Sequence, residues 1–206
     1  MKDLQLMNKV VIVLLVLLGF GCDKEPCLDI PALDKTSAET KEWYVNDSIG
    51  NRTITDDNGI SQTLMISNSY SGEHDDMVED HCGNNYGSFH FFIQYQTSVS
   101  PLNIEVDIQG SALPENGFYL KLSVMNTNVY EQKSTTYDFQ TKASRENNAS
   151  IQYLEQIQIS DTEYIDVLKI TFNNTSSEND IKTVFYSKGY GVIKFTEATG
   201  TEFEVN

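Results

Sequence analysis

Basic residues are scarce in this chain: 14 lysines and arginines stand against 30 aspartates and glutamates, a formal net charge of −16. Such a surface repels phosphate backbones, which argues against a nucleic-acid partner. It repels anionic lipid headgroups as well, so no basic face draws the protein to a membrane. Cysteine is rare too, with three in 206 residues, an odd number that leaves one unmatched in an exported protein unless another chemistry consumes it. No apolar run reaches the ~20 residues that cross a hydrocarbon core. After residue 42 there is no amphipathic helical stripe of three or more turns. The chain also lacks a Gly-x-Ser-x-Gly elbow, a phosphate loop and a dinucleotide fingerprint, so nothing in it calls for a cofactor.

What is present begins with an apolar run of 11 residues, Val10 to Phe20, preceded by Lys9 and followed by Gly21, Cys22 and the charged Asp23, Lys24 and Glu25. This order reads as a secretory signal peptide over residues 1–21. Asp3 is out of place in a region that should be positive, and Met7-Asn8-Lys9 would make a compact basic start, so translation is expected to begin at Met7.

The tetrad Gly19-Phe20-Gly21-Cys22 resembles the lipobox of bacterial lipoproteins, although the commonest form has Leu where this chain has Gly19. The resemblance implies cleavage after Gly21 and a lipid on Cys22, in the cell envelope and by expectation at the outer membrane of a Gram-negative bacterium. The alternative is an ordinary cleaved signal that leaves Cys22 as a thiol or a disulfide partner. With Cys22 lipidated, Cys27 and Cys82 remain as one possible disulfide, which an oxidising compartment permits. It would close a loop of 54 residues, worth roughly 4 kcal/mol in the loop-entropy description. Two free thiols are the other possibility.

Loss of the signal removes two of the 14 basic and one of the 30 acidic residues, leaving 12 against 29, a net −17 on 185 residues. That length suits one domain with a real core. Residues 22–42, rich in charge and holding Pro26 and Pro31, read as a lipidated tether, and 43–206 as a single domain.

From Trp43 onward the dominant signal is period-two alternation, the mark of half-buried strands. Phe89, Phe91, Ile93 and Tyr95 fall on one face; so do Ile104, Val106 and Ile108, and then Phe118, Leu120, Leu122 and Val124. Further runs place Ile151, Tyr153, Ile157 and Ile159 together, and Tyr164 with Leu168, Ile170 and Phe172. Asp57-Asn58-Gly59 predicts a type I′ hairpin turn, with tight turns also at Ser160-Asp161-Thr162 and Thr199-Gly200. Turns this short impose antiparallel pairing. The C-terminal passage reads as a three-strand meander. Its Gly189-Tyr190-Gly191 turn resembles a hairpin of envelope lipoproteins with curved antiparallel sheets or half-barrels. The expected fold is therefore all-β, an antiparallel meander forming a curved sheet, half-barrel or sandwich.

The densest chemistry lies at residues 73–82, where two histidines and five carboxylates occur in ten residues. His74, Asp76, Glu79 and His81 are candidate ligands for a divalent cation, but the spacing fits no established motif, and a solvated acidic loop between strands is the plainer expectation. His90, on the polar face of its strand, is a ligand contact only if that face lines a cavity; otherwise it is an ordinary cross-strand neighbour. Paired carboxylates of the glycosidase type would need placement that the sequence does not reveal. The Asn-x-Ser/Thr triplets at Asn51 and Asn148 read as polar loop composition. One tryptophan, ten phenylalanines and eleven tyrosines suit a concave face that holds a lipid, a sugar or a peptide strand, beside their usual role of filling a core. These readings lead to a non-catalytic, lipid-anchored envelope domain that binds a ligand or protein partner. A cation-binding protein using 73–82 and an envelope hydrolase are the alternatives.

Overall fold

The computed structural model describes residues 39–44, 49–79, 85–97, 102–111, 117–126, 131–146, 148–175, 177–178 and 180–206, with only the backbone at 69–79, 85–88, 102 and 111. Cys22, Cys27, Cys82 and His81 lie outside these residues, as does the signal segment.

Residues 39–41 form one helical turn, closed by bonds from Trp43 N to Thr40 O and from Tyr44 N to Lys41 O. Thr40 is wholly buried, so this turn is part of the folded body. Seven strands follow: β1 (Gly50–Asp56), β2 (Ser61–Glu79), β3 (Asn85–Thr97), β4 (Leu102–Ser111), β5 (Phe118–Asn126), β6 (Glu131–Asp138) and β7 (Ala143–Ser144). Five more follow among the described residues: β8 (Ala149–Ile159), β9 (Thr162–Phe172), β10 (Ile181–Ser187), β11 (Gly191–Glu197) and β12 (Glu202–Val205). All twelve join one sheet in the order β7-β6-β5-β4-β3-β2-β1-β12-β11-β10-β9-β8. Every neighbouring pair is antiparallel, as the short turns require. Two meanders are thus sewn together by β1 against β12, and the sheet curls into a nearly closed barrel.

Local chemistry explains the turns. The β1–β2 connection is not the expected type I′ turn, because among its residues only Gly59 takes a positive φ, of 79°. Instead Asp56 organises it: its Oδ1 accepts from Asn58 N at 3.0 Å and Ile60 N at 2.7 Å, while its carbonyl accepts from Gly59 N. An aspartate that caps its own turn removes the need for a second left-handed residue. Gly189, Gly191 and Gly200, with φ of 77°, 81° and 96°, serve the two C-terminal turns.

The alternation read from the sequence becomes rows across the sheet. Ile93, Val106 and Leu122 are register partners on β3, β4 and β5 and are fully buried. The adjacent row, Asp107 opposite Lys121, faces outward. An apolar interior with a polar exterior is the reverse of a membrane-spanning barrel, whose outer band is apolar and whose lumen is polar. Aromatics fill the interior; Tyr95 and Tyr186 are both buried, and the Tyr186 hydroxyl donates to Trp43 O at 2.8 Å. Gly110 makes room for this packing, because a Cβ there would lie 2.2 Å from the Phe89 ring and 2.6 Å from that of Phe118.

The acidic segment differs from the loop expected there. Residues 73–79 continue β2, with His74 opposite Ser88 and Glu79 opposite Asn85. Since β4 begins to pair only at Ser88, the β2–β3 ladder outruns its neighbour.

Another difference concerns β8 and β9. Ile151, Leu168, Ile170 and Phe172 join the interior, but Leu154, Ile157, Ile159 and Tyr164 pack on a second cluster with Val167, Phe185 and Ile193. Their common-face alternation therefore fails partway along. The phase changes at Asp166, which takes a φ of 52°. The β8–β9 register is unbroken through this point, so the left-handed residue changes which face the following side chains occupy without inserting an extra residue. The hairpin tip beyond it lies over the outer face of β10 and β11, and Ser160 Oγ donates to Glu204 of β12 at 2.5 Å.

Candidate functional site

The two edges of the sheet, β6–β7 and β8, do not pair directly, and residues 144–146 and 148 fill part of the gap. Arg145 N donates to Thr136 O at 2.9 Å, Glu146 accepts from Thr136 N at 2.5 Å and from its hydroxyl at 2.9 Å, and Asn148 donates to Ser134 O. At one end of this seam Asp180 is buried and paired with Lys133 at 2.7 Å and Asn126 at 3.2 Å. At the other end, beside the helical turn, the seam opens into a cavity of about 350 Å³.

Five separate stretches supply its wall. The helical turn gives Glu39, Thr40, Glu42 and Trp43; the end of β6 and its turn give Tyr137, Phe139 and Lys142; β8 gives Tyr153, β9 Asp166, and the β10–β11 turn Lys188. Trp43 packs 5.4 Å from Phe139 and stacks on Tyr186, and Phe139 meets Tyr137 edge-on at 5.2 Å, so the floor is an aromatic cluster held by the core.

Above that floor is a charged network. Lys188 Nζ lies 2.5 Å from Glu42 and 3.9 Å from Asp166, and the Tyr153 hydroxyl donates to the Asp166 carboxylate. This bond to a carboxylate, aided by partial desolvation, pushes the Tyr153 phenol up to about 12. A pinned hydroxyl fixes the ring while leaving it 46% exposed. Asp166 is itself anchored, since its carbonyl accepts from Lys188 N at 3.0 Å. Among the described residues three non-glycines have positive φ: Lys142, Ser160 and Asp166. Two of the three line this cavity. Backbone held in sparsely populated regions concentrates at ligand clamps and active sites.

None of the site residues singled out from the sequence is among those that line this cavity. His90 is on the outer face, 37% exposed, and pairs with Asp107 at 2.8 Å. Burial raises the Asp107 carboxyl above the usual carboxylate range, against the pull of His90 and Gln109. Gln109 donates to Asp107 at 2.8 Å and accepts from Tyr119 at 2.5 Å, so His90 sits in a cross-strand polar network. His74, Asp76 and Glu79 are on the backbone of β2; His81 and the cysteine pair fall outside the described residues. Among the described residues no group of three or more His, Cys, Asp or Glu is disposed to hold a metal ion. None of the cavity residues was assigned to a site by sequence reasoning. The signals were slight: a lone tryptophan at the start of the domain, and a lysine beside the Gly-Tyr-Gly turn.

Searches against protein-family models, curated proteins and solved structures find no significant match to this chain.

Proposed function

We propose that this protein is a lipid-anchored, non-catalytic cell-envelope domain that binds a small molecule in the cavity between β6 and β8. One observation carries the binding reading: aromatic floor, charged rim and two strained backbone positions converge on one cavity among the described residues. A volume of about 350 Å³ lies at the small end of the ~300–1,000 Å³ range of small-molecule pockets. Both rim carboxylates near Lys188 share its one ammonium, an arrangement suited to holding polar groups. The anchor rests on the sequence around Cys22, where several acyl chains at ~0.8 kcal/mol per buried CH₂ would retain even a strongly acidic domain at a membrane.

Trp43 is the one tryptophan of the chain and lines the pocket, so its indole N–H resonance is a site-specific reporter. A ligand-detected fragment screen should give binders that shift this resonance; hits that all leave it unmoved would sink the binding reading. For the anchor, mass spectrometry of membrane-extracted protein should find a lipidated N-terminal Cys22. Processed protein with an unmodified Cys22 would refute it.

A further inference from the structure

Building on the proposal that this cavity binds a ligand, we infer that its occupant is a small neutral carbohydrate, of one or two rings, lying against Tyr153 and held by Glu42, Asp166, Lys142 and Lys188. The wall holds charges of both signs. An anion entering it meets Glu39, Glu42 and Asp166, in a chain whose net charge is already −16. A cation meets Lys188 and also Lys142, which has no acidic partner among the described residues. Ligands of either sign therefore face like charge at close range. An acyl chain fits poorly, because half of the ten lining residues, Glu39, Glu42, Lys142, Asp166 and Lys188, carry charge.

Hydroxyl groups suit such a wall, since each both donates and accepts. Carboxylates of Glu42 and Asp166 take the donated hydrogens, and ammonium groups of Lys142 and Lys188 supply hydrogens in return. The apolar face of a sugar ring needs a flat partner. Tyr153 offers one, half exposed and with its hydroxyl tied to Asp166, so little freedom is lost on binding. The cavity equals the liquid volume of about a dozen waters, room for one or two rings and no long polymer.

The test uses the secreted, lipid-free protein and the fluorescence of Trp43, titrated with glucose, galactose, N-acetylglucosamine and cellobiose. Glucuronic acid, glucosamine and decanoate serve as charged and apolar comparisons. At least one neutral sugar should give a saturable change, weakened about tenfold by Tyr153→Ala, the order expected for one lost ring contact, and kept by Tyr153→Phe, which retains the ring. Binding of glucuronic acid, glucosamine or decanoate without any neutral sugar would overturn the carbohydrate class while leaving the pocket as a ligand site. Silence from all seven probes would overturn it too, and the class-blind fragment screen then decides the fate of the pocket by itself.

Discussion

Two residues show how individual positions constrain the barrel. At Gly110 a methyl group would collide with the Phe89 and Phe118 rings, which are register neighbours of the glycine and stack 6.1 Å apart. Gly110→Ala should therefore lower stability by ~1–3 kcal/mol through overpacking, read as a lower urea midpoint at unchanged slope; an unchanged midpoint would contradict the packing. Glu197 lies half-buried at the end of β11, and burial raises its carboxyl above the ordinary value. A carboxylate whose folded pKa is raised stabilises the fold when protonated, and this contribution disappears as pH rises through the folded value. Glu197→Gln should accordingly be more stable than wild type at pH 7, with the advantage vanishing below about pH 4. Equal denaturation midpoints at pH 7 would contradict the assignment. Neither site was legible in the sequence, because each depends on which side chains a neighbouring strand brings opposite.

Strands with a strong apolar rhythm were readable and polar ones were not. The expected faces of β3, β4 and β5 match the buried rows, whereas β6, with sequence EQKSTTYD, offers one large apolar residue. Its Thr135 and Thr136 are buried through hydrogen bonds to Ser144 and Glu146, a compensation invisible to hydrophobic periodicity. The same strand is fastened across the seam by Lys133 to the buried Asp180. Removing one partner of a buried pair strands the other, so Asp180→Ala should cost ~3–5 kcal/mol, and a loss below ~1 kcal/mol in equilibrium unfolding would show the pair to be dispensable. The β8–β9 tip depends on a different contact, the cluster around Ile193 on the outer face. Truncation by Ile193→Ala should destabilise by ~2–5 kcal/mol and accelerate hydrogen exchange at residues 155–165 before the interior strands respond. Exchange that rises evenly across the sheet would mean the tip is not a separate layer.

For the whole molecule, charge is the dominant global term. With 30 acidic and 14 basic residues, self-repulsion opposes compaction. Because exposed charges are screened over ~8–10 Å at physiological salt and less at higher salt, raising NaCl from 20 mM to 500 mM should raise the melting temperature. A fall would show that specific ion pairs such as Lys188–Glu42 and Lys194–Glu202 outweigh the general repulsion.

By itself the sequence determined the all-β class, the antiparallel pairing and the inward faces of the regular strands, since period-two patterning and turn chemistry act over a few residues. It also carries the lipobox-like segment, a signal read from a contiguous stretch. Only the tertiary structure decided that β1 joins β12, that Asp166 turns the β8–β9 tip onto the outer surface, and that residues from 39 to 188 meet in one pocket. Those are matters of long-range closure, in which the end of one meander must find the start of another, and no local pattern along the chain records where they touch.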